Sequence, residues 1–206
     1  MDVSPPFQKN GSIDIRRAEG PLDRDAVFQL RHRVFGEYGD QYAPGLQHSN
    51  GRLLEQSDCT AEFFAAFDSR GVAMAAISRQ PLQAVLDSSP RFAMLEHSAM
   101  KYGGRIEKMS YSSRFIIDPE SGANNLALRV FAEMLKAGVQ ENISHDFCAC
   151  DEHRLLGRNR LGYREINVRM LDEHGSPNQI LVLPIANQDT EVRPLARLLR
   201  RVVRAA

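Results

Sequence analysis

The segment from Glu107 to Asp118 (EKMSYSSRFIID) and the one after it (PESGANNLALRVFAEMLKAGVQ) hold the densest chemistry in this chain. The first reads as a strand carrying a carboxylate, a phenol and a guanidinium, at Glu107, Tyr111 and Arg114. The second reads as a helix entered through a short loop, with Gly122 where the helix begins. A strand end beside the free N–H groups of a helix N-terminus suits a thioester-linked or phosphate-bearing ligand. Arg114 in such a strand fits a charge-assisted pair with a ligand carboxylate or with an acid of the protein itself. Other chemistries find less support. Cys59, Cys148 and Cys150 lack metal-ligand spacing, and the latter two fall on one side of an apolar strand, as small core residues of a reducing compartment do. His32, His48, His97, His145, His153 and His174 show neither metal spacing nor a Ser-His-Asp order.

An alternating series of elements must position these residues. Ser12 to Arg17 alternates as a first strand, and Leu22 to Tyr38 reads as a helix. Asp23 is its expected N-cap, with Val27, Leu30, Val34 and Phe35 as the apolar stripe. Gly39 to Ser57, with its Gly, Pro, Asn and Gln, reads as a long loop, either a binding lid or a disordered stretch. Glu62 to Phe67 and Val72 to Ser78 form strands around the turn Asp68 to Gly71, and Pro81 to Met100 gives one or two helices broken near Pro90. Arg105 to Ile117 is the central strand. Asn124 to Glu141 is a helix with Leu126, Val130, Phe131, Met134 and Leu135 on one face, where Gly138 permits close packing. Asp146 to Cys150 is a short buried strand, Asp151 to Leu161 a helix ended by Gly162, and Tyr163 to Leu171 with Gln179 to Ile185 a closing antiparallel pair.

At 206 residues the chain is expected to form one domain over 12–188, after a loose tail at 1–11. Its 26 basic and 26 acidic residues balance, so no global field points to nucleic acid. The N-terminus lacks a basic-then-apolar leader pattern, no apolar run reaches membrane-spanning length, and the expectation is a cytoplasmic protein. Residues 189–206 read as a basic amphipathic helix: Leu195, Leu198, Leu199, Val202 and Val203 share one face, and Arg193, Arg197, Arg200, Arg201 and Arg204 take much of the rest. Such a helix either docks its leucines on the body or touches an anionic surface, a peripheral membrane contact or an acidic carrier protein.

The order of elements and three segments resemble the GNAT acyltransferase superfamily, an α/β fold with a mixed, mostly antiparallel sheet flanked by helices. LRHRVFGEY, Leu30 to Tyr38, is similar to the first-helix signature of acyl-carrier-protein-dependent members: acyl-homoserine-lactone synthases, long-chain N-acyl amino acid synthases and ornithine-lipid acyltransferases. SSRFIID, Ser112 to Asp118, resembles the strand those families write Glu-x-Ser-Arg-Phe, and HRLLGRNRLGYREI, His153 to Ile166, resembles their last helix with its terminal Gly-Tyr pair. The resemblance implies a central strand splayed from its neighbour, with an acyl-pantetheine arm in the gap and its thioester carbonyl on an exposed N–H. It implies no metal and no resident cofactor, the acyl-pantetheine thioester being a co-substrate on acyl carrier protein or CoA. Carried over by position, Glu107, Tyr111 and Arg114 would be catalytic. Arg31, Phe35, Glu55, Asp58 and Arg79 would bind the acceptor. Phe115, Ile116, Ile117, Gly122, Ala123, Asn124, Asn125 and Arg158 would hold the donor.

Departures from the pattern sharpen these expectations. Tyr111 stands where the family has its glutamate, so Glu107 substitutes only if a bulge shifts the register. Pro119, Gly122 and Asn124 occupy the positions of the family's diphosphate loop, and the one surviving glycine favours a donor carried on a protein rather than CoA. Arg158 stands in place of a general-acid tyrosine. The absence of any tryptophan counts against a homoserine-lactone synthase. What is implied is an N-acyltransferase moving a fatty acyl group to the amine of an amino-acid-like small molecule. The alternatives are an acyl-homoserine-lactone synthase using S-adenosylmethionine, and a catalytically degenerate domain that binds an acyl carrier or a membrane surface.

Overall fold

A computed structural model of the chain describes residues 12–36, 47–102, 105–121, 125–172 and 175–185. In chain order the elements are β1 (Asp14–Arg17), α1 (Pro21–Phe35), β2 (Gln47–Ser49), β3 (Arg52–Leu54), β4 (Glu62–Phe67), β5 (Ala73–Pro81), α2 (Leu82–Ser88), α3 (Ala93–Lys101), β6 (Met109–Ile117), α4 (Leu126–Gln140), β7 (His145–Cys150), α5 (Leu155–Arg160), β8 (Arg164–Leu171) and β9 (Pro177–Pro184). The expected tail at 1–11 and the basic helix at 189–206 lie outside the described residues. No helix among the described residues is long and apolar enough to cross a membrane.

Local chemistry explains the boundaries, including those that differ from expectation. Pro21 opens α1 because its fixed φ suits a first helical turn that needs no N–H partner, so Gly20 and not Asp23 is the N-cap. Asp23 instead accepts a hydrogen bond from Arg16 at 2.7 Å. Within the expected loop at 39–57, the described residues from 47 onward form regular elements. Asn50 and Gly51 both take positive φ (49° and 74°), the geometry of a tight two-residue hairpin turn, and join β2 to β3. A single 3₁₀ turn, Gln56–Cys59, follows. The central strand starts later than expected, since Ile106–Lys108 form another 3₁₀ turn before β6.

Seven strands make one sheet in the order β1-β4-β5-β6-β7-β9-β8. Every neighbouring pair is antiparallel except β6 and β7, which run parallel. Helix α1 buries Val27, Phe28 and Leu30 against Phe63, Phe67 and Ile116 of the sheet. Helix α4 buries Val130, Phe131 and Met134 with Phe64, Ile77 and Leu181. Helices α2 and α3 cover a third cluster, which includes Leu82, Leu95, Tyr111 and Phe147. Each such fully buried side chain contributes roughly 1.5–3 kcal/mol. Gly138 lets α4 approach closely: a Cβ there would lie 3.1 Å from Ile185 and 3.2 Å from Arg79.

Candidate active site

Strands β6 and β7 pair only at their beginnings, Met109 with His145, Ser110 with Asp146 and Tyr111 with Phe147. Beyond Tyr111 the strands part, while β7 stays paired with β9 through Cys150 and β6 stays paired with β5 through Ile117. The result is a wedge with strand edges on either side, which matches an extended ligand able to hydrogen-bond as a strand does. Its vertex is clamped. Asp146, wholly buried, accepts hydrogen bonds from Ser110 Oγ and from Tyr163 OH, each at 2.5 Å. Burial raises the Asp146 pKa, opposed by the Ser110 and Tyr163 hydrogen bonds, and burial together with the Asp146 charge pushes the Tyr163 phenol well above its usual range.

A β-bulge sits beside the wedge. Ser113 pairs with Ser78 and Ile116 with Ala76, so Arg114 and Phe115 together oppose Ile77. Arg114 takes φ +50°, a left-handed conformation that costs an arginine roughly 1–2 kcal/mol. The bulge carries the Arg114 guanidinium to Glu55, where Nε donates to Oε1 at 2.5 Å. Burial raises the Glu55 pKa, but Arg114, with Arg31 behind it, outweighs this and holds the carboxyl below its ordinary value. One turn further, Arg31 donates to both Asp58 oxygens at 2.8 Å. Asp58 also accepts from the Glu55 backbone N–H at 2.7 Å, closing the 3₁₀ turn. Gln80 fastens that turn to β5 by donating to the Ser57 carbonyl at 2.7 Å, and Ser78 donates to the Ser113 carbonyl at 2.9 Å.

The expected site residues therefore separate into groups. Arg31, Glu55, Asp58 and Arg114 meet in one network, although 83 positions of chain separate Arg31 from Arg114 (114 − 31). Phe35 is half-buried and packs on the α1 core. Arg79 lies elsewhere, bonded to Glu62 and Glu141, with Arg17 joining the same two acids. Strand alternation explains this, because Gln80 turns toward the 56–59 turn and the residue before it must face the other side, toward α4. Glu107 sits in the 3₁₀ turn before β6, its side chain 64% exposed and 3.5 Å from Arg105. The bulge that would have shifted it into register occurs at Arg114 instead, downstream, and leaves Glu107 away from the wedge. Tyr111 is buried, its ring edge-on to Phe92 at 6.0 Å; burial raises its pKa to about 12.

On the donor side, Phe115 packs half-buried against the α4 core, Ile116 is buried in the α1 core and Ile117 is exposed. Asn125, at φ +75°, precedes α4 as its N-cap; Gly122, Ala123 and Asn124 lie outside the described residues. Arg158 reaches from α5 across to β6, its guanidinium carbon 5.4 Å from the Phe115 ring and 5.6 Å from the Tyr163 ring. Sequence reasoning missed Ser78, Gln80, Ser110, Ser113 and Asp146. Part of their signal was present, since Ser110 lies between Met109 and Tyr111 and Asp146 opens a run of apolar strand residues, and buried polar groups need partners.

No protein-family description matches this chain, and no curated protein matches it in sequence. Solved structures match its fold. The CoA-dependent acyl-homoserine lactone synthase BjaI superposes with a TM-score of 0.69 at 15% identity, over 93% of this chain and 90% of that one. The N-acyl amino acid synthase FeeM from uncultured soil microbes gives 0.64 at 18% identity, over 86% and 93%. An N-acetyltransferase from Lactobacillus plantarum, described as putative, gives 0.61 at 14% identity, over 84% and 99%.

Proposed function

We propose that this chain, which has the GNAT fold, is an N-acyltransferase. It transfers a fatty acyl group from a pantetheine thioester, on acyl carrier protein or CoA, to the amine of an amino-acid-like small molecule. The observation that carries the reading is Arg114, held at a strained bulge beside the parting of β6 and β7 and paired with Glu55. Backbone strain persists at functional sites because surrounding structure fixes it there. Similarity in fold to an N-acyl amino acid synthase and to a lactone synthase supports the same reaction class.

In this reading the pantetheine arm lies in the wedge as an added strand, with the thioester carbonyl against a β6 N–H near the bulge. Amine nitrogen attacks the carbonyl carbon, and the carbonyl electron pair moves to oxygen, where the N–H stabilises it. Collapse then breaks the C–S bond, and the electron pair leaves with sulfur. Arg114 and Glu55 orient the two charged ends of the acceptor, with Arg31 and Asp58 fixing Glu55 behind them. Glu55 is a poor proton acceptor, being held below the ordinary carboxylate pKa, so the amine's proton passes to water. Tyr111 keeps its proton at neutral pH and is no base.

The test is product discovery. Purified protein is incubated with long-chain acyl carrier protein or acyl-CoA, together with amino acids, ornithine and S-adenosylmethionine, and mass spectrometry searches for acylated products. An N-acyl amino acid is the expected result and identifies the acceptor. A lactone with released methylthioadenosine would move the chain to the second reading, favoured by its similarity to BjaI. Intact thioester in every mixture, with carrier protein still bound, would leave a binding domain in place of an enzyme.

A further inference from the structure

Arg158 has no assigned partner, and its surroundings are unusual for an arginine. Its Nη1 is buried without a hydrogen-bond partner, whereas the nearby acid, Asp146, is already occupied by Ser110 and Tyr163. The guanidinium carbon lies 5.4 Å from the Phe115 ring on β6 and 5.6 Å from the Tyr163 ring just before β8, and with Cys148 and Cys150 of β7 also beside it the group sits between β6 and β7. Cys148 and Cys150 on β7 are its electrostatic neighbours, and burial raises both thiols, which keeps them uncharged at neutral pH. A guanidinium remains protonated throughout; Asp146 acts on it through space, but the buried Nη1 donates to no acceptor and is left to meet an arriving anion.

We propose that Arg158 stabilises the thiolate of the departing pantetheine by charge, without donating a proton. This deepens the acyl-transfer reading and rests on it. The position along the wedge selects the anion. A phosphate of the arm would sit near the N-terminus of α4, past Ile117, whereas Arg158 lies over Phe115, nearer the vertex, where the sulfur end of an inserted arm falls. When the C–S bond breaks, its electron pair goes to sulfur, and the negative charge forms beside the unpartnered Nη1. The thiolate takes its proton from water after it leaves the wedge.

The experiment compares wild type with Arg158→Met and Arg158→Lys, using full-length protein and the amine acceptor found in the product screen. Each is assayed with an acyl-CoA and with the thiophenyl ester of the same acid, whose thiol is far more acidic and leaves without assistance. For Arg158→Met we expect kcat with acyl-CoA to fall about 100-fold, the size of a lost oxyanion-type contact, with acceptor KM within about threefold. With the aryl thioester the loss shrinks to a few-fold, and Arg158→Lys stays intermediate with acyl-CoA. Wild-type kcat does not decline at alkaline pH, as it would if a general acid deprotonated. Equal losses on both donors, or no loss on either, would overturn the role of Arg158 while leaving acyl transfer intact. Absence of wild-type turnover with every amine and both donors would instead remove the underlying reading. If Arg158→Met does not fold, as judged by thermal unfolding, the donor comparison made on Arg158→Lys decides: a kcat loss with acyl-CoA that the aryl ester abolishes supports the proposal, and equal kinetics on both donors overturns it.

Discussion

At the residue scale, the paired charges between the 56–59 turn, α1 and β6 are the most consequential contacts. Arg31 is 2% exposed and Asp58 7%, so neither charge can fall back on water if the other is removed. Asp58→Ala leaves the guanidinium buried beside the Phe28 and Phe63 rings and should destabilise the fold by about 3–5 kcal/mol in chemical denaturation. Glu55 makes a different prediction. Its folded pKa lies below the unfolded value, so the stabilisation by Arg114 is present above ordinary carboxylate pH and is lost as pH falls through the depressed value. Glu55→Gln should therefore be less stable than wild type near pH 7, and the difference should shrink as the pH is lowered to about 3. Urea unfolding at the two pH values tests the sign, and a constant difference would show that Glu55 contributes by packing alone.

At the element scale, the bulge in β6 decides what the central strand can present. An ideal ladder through residues 113–116 would have kept Arg114 in strict alternation, and the extra residue releases it toward the turn that holds Glu55. The left-handed φ of Arg114 gives this element an unusual signature. Within a strand, glycine normally destabilises by roughly 0.5–1 kcal/mol relative to alanine. Here the order should invert, with Arg114→Gly more stable than Arg114→Ala by about 1 kcal/mol, since only glycine takes φ +50° freely. Both variants lose the guanidinium, and both should lose turnover of the acyl acceptor. Thermal unfolding of the pair is a direct comparison, and alanine above glycine would mean that the strain is absent in solution.

At the scale of the molecule, the sheet works as two halves joined at one parallel pair. The ladder from β1 to β6 carries Arg114 with its ion pair to Glu55, the ladder of β7, β9 and β8 carries the other wall of the wedge, and Asp146 locks them at the vertex. An open wedge between two rigid ladders suits a donor and an acceptor bound together, with no relay through the protein. Cys148 and Cys150 have thiols raised by burial, so neither is an attacking thiolate. Initial-rate kinetics varied in donor and acceptor should give intersecting lines, and Cys148→Ala with Cys150→Ala should keep kcat within about threefold. Parallel lines, or an acylated protein trapped by mass spectrometry, would point to a covalent intermediate.

The order and nature of the elements were legible in the sequence because they rest on local rules. The stripe of α1, the apolar face of α4, the close-packing Gly138 and the Gly162 stop all follow from spacings within a few residues. The Asn50-Gly51 hairpin was equally local and was overlooked inside a loop reading. The resemblance of LRHRVFGEY and SSRFIID to acyltransferase signatures singles out Arg31 and Arg114 from sequence alone. Only the tertiary structure decided which acids those arginines meet, that Arg79 joins Glu62 and Glu141, and that Glu107 stays in solvent. The reason is register. A one-residue bulge and the point where two parallel strands part are set by contacts between segments far apart in the chain, and no local pattern of residue types encodes them.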